Sequence, residues 1–497
     1  MPEKTGHGAI GARHATGPAT RTMAADEQAA ATPTQPASRG LLWAYGCLLA
    51  ACLVIYLPEV GHGFIKDDFG WIVSSRPRSV GEVVRLFEET RGFYRPLVSL
   101  SFAANEYAFG ASPFGYGVTN LLLALAAGLG VAWFGRLSGL QSGASLFAAA
   151  VWLLNPHGIN MAVLWLSGRT SLLLTLFALL AAIAAAKARP AVAALLCLAA
   201  LLSKEEAILL PLPLLLILSR GGDPRRRAVL VAAAWLLTVS ALYFVLRFHS
   251  DAMTPATAPP HYQLTFAPPL VMRNIVEYAD RSFAFVAVLV LLVAAVAASR
   301  PRLTSAERRL VATGLTWLVA GFGITVFLPV RSSLYACFPS VGSAVVGAAV
   351  VSAIWRATTV RRRRLAAVVG VIVLVFLVPV QRQRNRRWVE LTDLSAMVTP
   401  ALRLAAQVAS DGHVLIVDDR STRVSITSTY GSLLPDAVLL ASGERRSVWL
   451  VPPPDGSPAT ELVSVPKTFA SAWALRHGRL VRIDGATMVG ASAVVWR

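Results

Sequence analysis

Apolar runs close to the thickness of a bilayer core recur along this 497-residue chain, and no other feature narrows its fold so sharply. A helix rises about 1.5 Å per residue, so about 20 residues cross a hydrocarbon core in which every backbone group must find its partner inside the protein. Stretches 41–58, 114–135, 143–165, 169–187, 190–203, 206–219, 228–248, 282–299, 310–329, 334–355 and 365–380 meet or approach that length, which predicts about eleven transmembrane helices. The pair 190–203 and 206–219 is short and reads as two helices or as one long or broken helix. Merging the pair would invert every later segment.

Composition excludes the main competitors. The chain is 55% hydrophobic and 15% charged, against roughly 25% charged in ordinary soluble domains. A soluble nucleic-acid binder could carry the net charge of +19 but would not dilute it in so much Leu, Ala and Val. The charge instead follows topology. With residues 1–40 as a disordered cytoplasmic tail, twenty Lys and Arg fall in the cytoplasmic pieces beside only Glu3, Asp26, Glu27, Asp223 and Glu307. The long outer loop 59–112 holds six bases and seven acids. Cytoplasmic loops of membrane proteins carry such an excess of bases. Arg382, Arg384, Arg386 and Arg387 oppose it from the outer end of the last span, where Arg356 and Arg361 to Arg364 outnumber them. The first apolar run lacks a cleavage signal and reads as a retained span. The cysteines form no metal or redox motif.

The fold class is therefore an α-helical polytopic membrane protein, with a transmembrane domain over 41–380 and a small C-terminal α/β domain over 381–497 on the outer face. In the latter, an amphipathic helix (Trp388–Val408) leads to an apolar strand His413–Val417 closed by Asp418 and Asp419, then to alternating stretches at Ser447–Val451 and Leu480–Ile483. Asp418 and Asp419 read as turn formers ahead of ligands.

Chemistry-bearing groups gather at the outer ends of the spans. Asp67 and Asp68 are adjacent carboxylates, which repel; one is suited to general-base work, or both to holding a cation, and the plain alternative is a solvated acidic turn. Tyr94-Arg95-Pro96, Asn155-Pro156-His157, Ser167-Gly168-Arg169, Ser203-Lys204-Glu205-Glu206, Arg273, Arg281 and Arg331 follow. Ionisable groups at membrane depth are costly and mark sites or counter-ions, whereas Arg169 and Arg331 could also snorkel to headgroups and Lys204 could pair with Glu205. His157 lacks a second histidine for zinc. Together these groups describe a pocket for a phosphate near the lipid with a hydroxyl above it.

Lys66-Asp67-Asp68, the Tyr94–Phe102 block followed by Gly110–Tyr116 and Asn120, Asn155-Pro156-His157 through Leu164–Leu173, Leu201–Glu205, and more loosely Leu334-Tyr335 with Pro339–Gly342 occur in one order. In that order they resemble the GT-C superfamily of membrane glycosyltransferases, and within it the branch related to protein O-mannosyltransferases that includes the transmembrane-and-TPR enzymes and their bacterial relatives. The chain departs from that pattern at Met161, where the family commonly has Glu, at Arg331-Ser332-Ser333, and in lacking a TPR module.

The resemblance implies a hexosyltransferase that moves a sugar from a polyprenyl-phosphate donor to an acceptor hydroxyl with inversion. Asp67 or Asp68 would be the base; Arg95, Arg169, Lys204 and Arg331 would bind the donor phosphate; Tyr94, His157, Glu205 and Tyr335 would support them. A divalent cation, Mg or Mn, at Asp67 and Asp68 stays open, since GT-C enzymes differ in this. The implied partners are the lipid-linked sugar, membrane lipid and a protein or envelope-glycan acceptor, with no nucleic acid, in the cell inner (plasma) membrane. A transporter or flippase of a lipid-linked sugar is the competing reading, disfavoured by the lack of an internal repeat.

Overall fold

The computed structural model describes residues 39–496 apart from 78, 89–91, 220–225, 255, 298–301, 419–423, 453–461 and 466–467. The expected N-terminal tail and Asp419 lie outside the described residues. Of the unit Met1–Trp43, only the start of the first helix is described; everything below concerns the unit Ala44–Arg497.

Helix α1 (Arg39–Tyr56) leads into a loop that carries α2 (Asp67–Ser74), α3 (Val80–Arg85) and α4 (Pro96–Phe109). The bundle follows as α5 (Pro113–Leu137), α6 (Ser142–Leu153), α7 (Ile159–Leu164), α8 (Arg169–Ala186), α9 (Pro190–Leu201), α10 (Pro211–Leu218), α11 (Arg226–Phe248), α12 (Pro268–Ala279), α13 (Phe285–Ala297), α14 (Ser305–Phe322), α15 (Ser340–Arg356) and α16 (Val360–Gln407). Among the described residues, seven helical segments are long and apolar enough to cross a membrane, and three shorter apolar helices accompany them. The chain is an α-helical polytopic membrane protein.

The elements differ from the eleven expected runs where local chemistry interrupts them. Run 143–165 breaks at Asn155-Pro156 into α6 and α7, because Pro disfavours helix at the residue before it. Gly158 then turns the chain at φ 90°, and a Cβ there would lie 2.8 Å from the Ser333 carbonyl oxygen. The 190–219 region is two helices joined by a 3₁₀ turn at Glu205–Leu209, since Lys204, Glu205 and Glu206 interrupt the apolar sequence. Run 334–355 begins only at Ser340, after a separate turn at Ser333–Ala336. The expected span 365–380 and helix Trp388–Val408 are parts of a single 48-residue helix, α16, which continues through Pro379 and Pro400.

Backbone contacts sort the loops by end. Met253 N–H donates to Gly92 O at 2.6 Å, Thr265 N–H to Phe327 O at 2.8 Å, and Val330 N–H to His261 O at 3.2 Å. Gln381 and Asn385 of α16 donate to the carbonyls of Leu154 and Ile55. One end of the bundle thus gathers the first loop, the 154–168 turn, the 202–210 apex, the 249–267 loop and the start of the polar part of α16. At other helix ends, Lys187 lies over the Trp133 ring, Arg356 pairs with Glu307, and Arg362 donates to Ala297 O.

The C-terminal domain has a six-stranded sheet in the order β3-β6-β2-β1-β4-β5: β1 (His413–Asp418), β2 (Ser447–Val451), β3 (Val463–Ser464), β4 (Ser471–Arg476), β5 (Arg479–Arg482) and β6 (Ser492–Trp496). β1 is parallel to β2 and β4, and the remaining pairs are antiparallel. Helices α17 (Ile426–Tyr430) and α18 (Leu434–Ser442) connect β1 to β2. Buried residues of α16, α17, α18 and the sheet share one core with Phe64, Phe69, Ile72 and Val98 from the first loop. This core places the domain directly against α2. Asp418 accepts the Ile426 N–H at 2.7 Å, the structural role of starting α17.

Candidate active site

Helix α2 starts at the acidic pair, and its geometry gives the two carboxylates opposite fates. Asp68 is buried. One of its oxygens accepts the Ser167 N–H at 2.7 Å and the Ser167 hydroxyl at 2.5 Å, and the other accepts the Ile65 N–H at 3.0 Å. Burial pushes its carboxyl up to about 7, against the pull of those hydrogen bonds. Neighbouring side chains of a helix are turned about 100° from each other, so Asp67 faces the other way. It is exposed and, among the described residues, has neither hydrogen bond nor ion pair. The protein around it raises its carboxyl above the ordinary value, while Arg95 and Lys66 oppose the rise. A divalent ion at the pair would be held by Asp67 alone, because Asp68 points inward at three donors; the donor set does not fit a two-carboxylate metal site. Among the described residues no group of three or more His, Cys, Asp or Glu is placed to hold a metal ion.

Arg95, the residue before α4, reaches across to the 202–210 apex. It donates to Glu205 through Nε at 3.0 Å and Nη2 at 2.6 Å and stacks 4.1 Å from the Phe93 ring centre. Burial would raise the Glu205 carboxyl, but Arg95 and Lys204 hold it down at about 2. Lys204 is buried beside Glu206 at 2.6 Å, donates to Ser171 Oγ at 2.9 Å, and lies 5.1 Å from the Tyr335 ring centre. Tyr94 is buried and donates to Phe87 O at 3.0 Å, a packing role.

Of the expected phosphate ligands, Arg169 has a structural role and Arg331 is paired with an acid while staying partly exposed. Arg169 is wholly buried, with Nε donating to Asn120 Oδ1 at 2.8 Å and its terminal nitrogens to the carbonyls of Ser101 and Tyr116 at 3.1 Å. It ties α4, α5 and α8 together and is shielded from any phosphate. Arg331 pairs with Glu277, which also holds Arg281. Arg95 and Lys204 are likewise committed to Glu205 and Glu206, so the nominated cations are largely neutralised within the protein.

The structure leaves a different basic group with unpartnered nitrogens. Arg281 lies in a π-helical turn, Asp280–Ala284, and its Nη1 is buried with no partner among the described residues. His157, whose N–H donates to Asn155 Oδ1, has a buried Nδ1 equally without a partner. Burial, then Arg384 and Arg281, lower the His157 pKa, with Asp280 opposing. Tyr278 and Tyr335 meet edge to face at 6.3 Å, between this basic group and the Lys204–Glu206 pair.

Sequence reasoning counted Arg281 among the polar groups of the phosphate pocket without naming it as a ligand, gave Arg384 no role in the site, and missed Tyr262. That residue packs edge to face on Phe93 at 5.0 Å, within electrostatic reach of Asp67, Arg95 and Glu205. No motif flanks it in the 249–267 loop that would have singled it out.

No family model matches the sequence, and no curated protein matches it. Solved structures similar in shape include two membrane proteins. One is the archaeal oligosaccharyltransferase AglB from Archaeoglobus fulgidus, in complex with an inhibitory peptide and a dolichol-phosphate, at TM-score 0.48 and 10% identity over 84% of this chain and 64% of that one. The other is ArnT from Cupriavidus metallidurans bound to undecaprenyl phosphate, at TM-score 0.48 and 13% identity over 91% of this chain and 100% of that one. The chain thus spans 64% of the length of AglB.

Proposed function

We propose that this protein is a membrane glycosyltransferase that moves a sugar from a polyprenyl-phosphate donor to an acceptor hydroxyl, with Asp67 as general base. The observation that carries the reading is the division within the acidic pair: Asp68 is consumed by Ile65 and Ser167, while Asp67 has no hydrogen-bond or ion-pair partner among the described residues and lies at the same end of the bundle as the ion pairs of Arg95 and Lys204.

In this reading Asp67 takes the acceptor proton as the acceptor oxygen attacks the anomeric carbon. The bond from that carbon to the donor phosphate oxygen breaks, its electron pair stays on the phosphate, and the anomeric configuration inverts. Arg281, His157 and the partly exposed Arg331 supply N–H donors to the departing phosphate, where charge develops. Helix α12 fits a lipid carrier beside them. Met272, Ile275 and Val276 are exposed apolar residues, while Glu277 and Tyr278 are turned toward the charged groups. The bases near the far helix ends, Arg136, Lys187, Arg308, Arg309, Arg356 and Arg361 to Arg364, fit a cytoplasmic location there and an outer location for Asp67.

The test is to incubate the purified protein in liposomes with radiolabelled polyprenyl-phosphate sugars and a panel of protein and glycan acceptors. Donor consumption with an inverted product supports the reading. Movement of intact donor between leaflets without bond cleavage would make the protein a flippase.

A further inference from the structure

The C-terminal domain touches α2 at the residues that flank Asp67. Lys66 has φ 48° and ψ −126°, a conformation that a side-chain-bearing residue adopts only when its surroundings hold it there. Its N–H donates to Thr429 O of α17 at 2.8 Å. Three residues on, Phe69 stacks on Tyr430 with ring centres 5.3 Å apart and planes 27° apart. Tyr430 is fully buried, and its hydroxyl lies 3.1 Å from Thr399 Oγ1 of α16. One residue further, Gly70 lies flush against the domain: a Cβ there would come within 3.1 Å of Leu433 Cδ1. The membrane domain holds α2 from its other side through Asp68 and Ser167.

Resting on the reading of Asp67 as the base, we propose that the C-terminal domain positions it. Thr429, Tyr430 and Leu433 fix the backbone at Lys66 and the roll of α2, so that Asp68 stays turned in and Asp67 turned out toward the acceptor. Lys66, Thr429, Tyr430 and Leu433 are positioning residues that touch no substrate. The coupling predicts that loosening the domain from α2 lowers turnover without weakening donor binding, since the cationic group around Arg281 lies on other elements.

Gly70→Val tests this by wedging α2 away from Leu433, and adding Leu433→Ala restores the space. Measured per folded molecule in liposomes, Gly70→Val should lower kcat at least tenfold, leave donor KM within twofold, and move the acid limb of kcat toward lower pH as Asp67 loses its surroundings. The added Leu433→Ala should recover most of the loss. A second readout is independent of turnover: in an Asp67→Cys background, Gly70→Val should change the thiol's rate of labelling by a charged methanethiosulfonate at least fivefold. Unchanged kcat, pH limb and labelling rate in folded Gly70→Val would overturn the proposal. A changed labelling rate in a protein whose wild type transfers no sugar would leave the positioning intact and sink the glycosyltransferase reading instead.

Discussion

Asp68 and Ser167 are joined twice, through the Ser167 amide and its hydroxyl, across 99 residues of chain. This pair docks the first loop on the turn before α8. Asp68→Asn would put an amide donor against one of the N–H or O–H groups that Asp68 now accepts, and a buried polar group left unmatched costs about 1–3 kcal/mol. The expected result is a lower apparent Tm with donor KM unchanged, read by thermal scanning in detergent alongside transfer kinetics.

Arg169→Ala should act on folding. It strands the Asn120 side chain and the carbonyls of Ser101 and Tyr116. Each unmet acceptor costs about 1–3 kcal/mol. Arg169→Lys should not rescue it, because one ammonium lacks the planar fork that reaches three separated acceptors. Size-exclusion profiles should show lost yield, and the folded remainder should keep its donor KM. An intact yield with a weakened donor KM would return Arg169 to phosphate binding.

The Arg95–Glu205 pair closes the first loop onto the 202–210 apex. The pair is partly buried, with Glu205 27% exposed, so losing one partner costs less than the roughly 3 kcal/mol of a fully buried pair, and a double-mutant cycle with Arg95→Met and Glu205→Leu should give a coupling above the roughly 1 kcal/mol of an exposed pair. Glu205 is held at about 2, below the unfolded value of about 4.3. Its contribution is therefore present above pH ~4.3 and is lost as pH falls toward 2. Limited proteolysis of the first loop should be equal at pH 7 and 5 and faster below about 4.

Turnover should rise with pH through the Asp67 carboxyl, which lies above the ordinary value of about 3.9. Because Arg95 opposes that rise, Arg95→Gln should move the acid limb of kcat/KM to higher pH. A limb that stays in place would show that Arg95 does not act on the group titrating in the free enzyme.

Much of this architecture is legible in the sequence, because lipid imposes a length on apolar runs and the alternation at Ser447–Val451 marks a strand. Less legible is what happens where runs meet polar residues. Asn155-Pro156 broke a run read as one span, whereas Arg382 to Trp388 did not break α16, since the stretch holds no Pro or Gly, its Arg and Gln residues are good helix formers, and Asn385 is anchored on the Ile55 carbonyl. At the site, the acidic pair was visible but its division was not: that Asp68 turns inward depends on Ser167, and that Arg169 is spent on Ser101, Tyr116 and Asn120 depends on the packing of three helices. Tyr262 left no trace in the sequence, for it arrives on a loop whose position is set by Gly92, Phe327 and Val330.

The central claim is that Asp67, and not Asp68, removes the acceptor proton. Single-turnover transfer from a polyprenyl-phosphate sugar by folded Asp67→Asn in liposomes measures it most directly. The account predicts an apparent Tm equal to wild type and a chemical step slowed at least a hundredfold. Wild-type transfer by Asp67→Asn would contradict it.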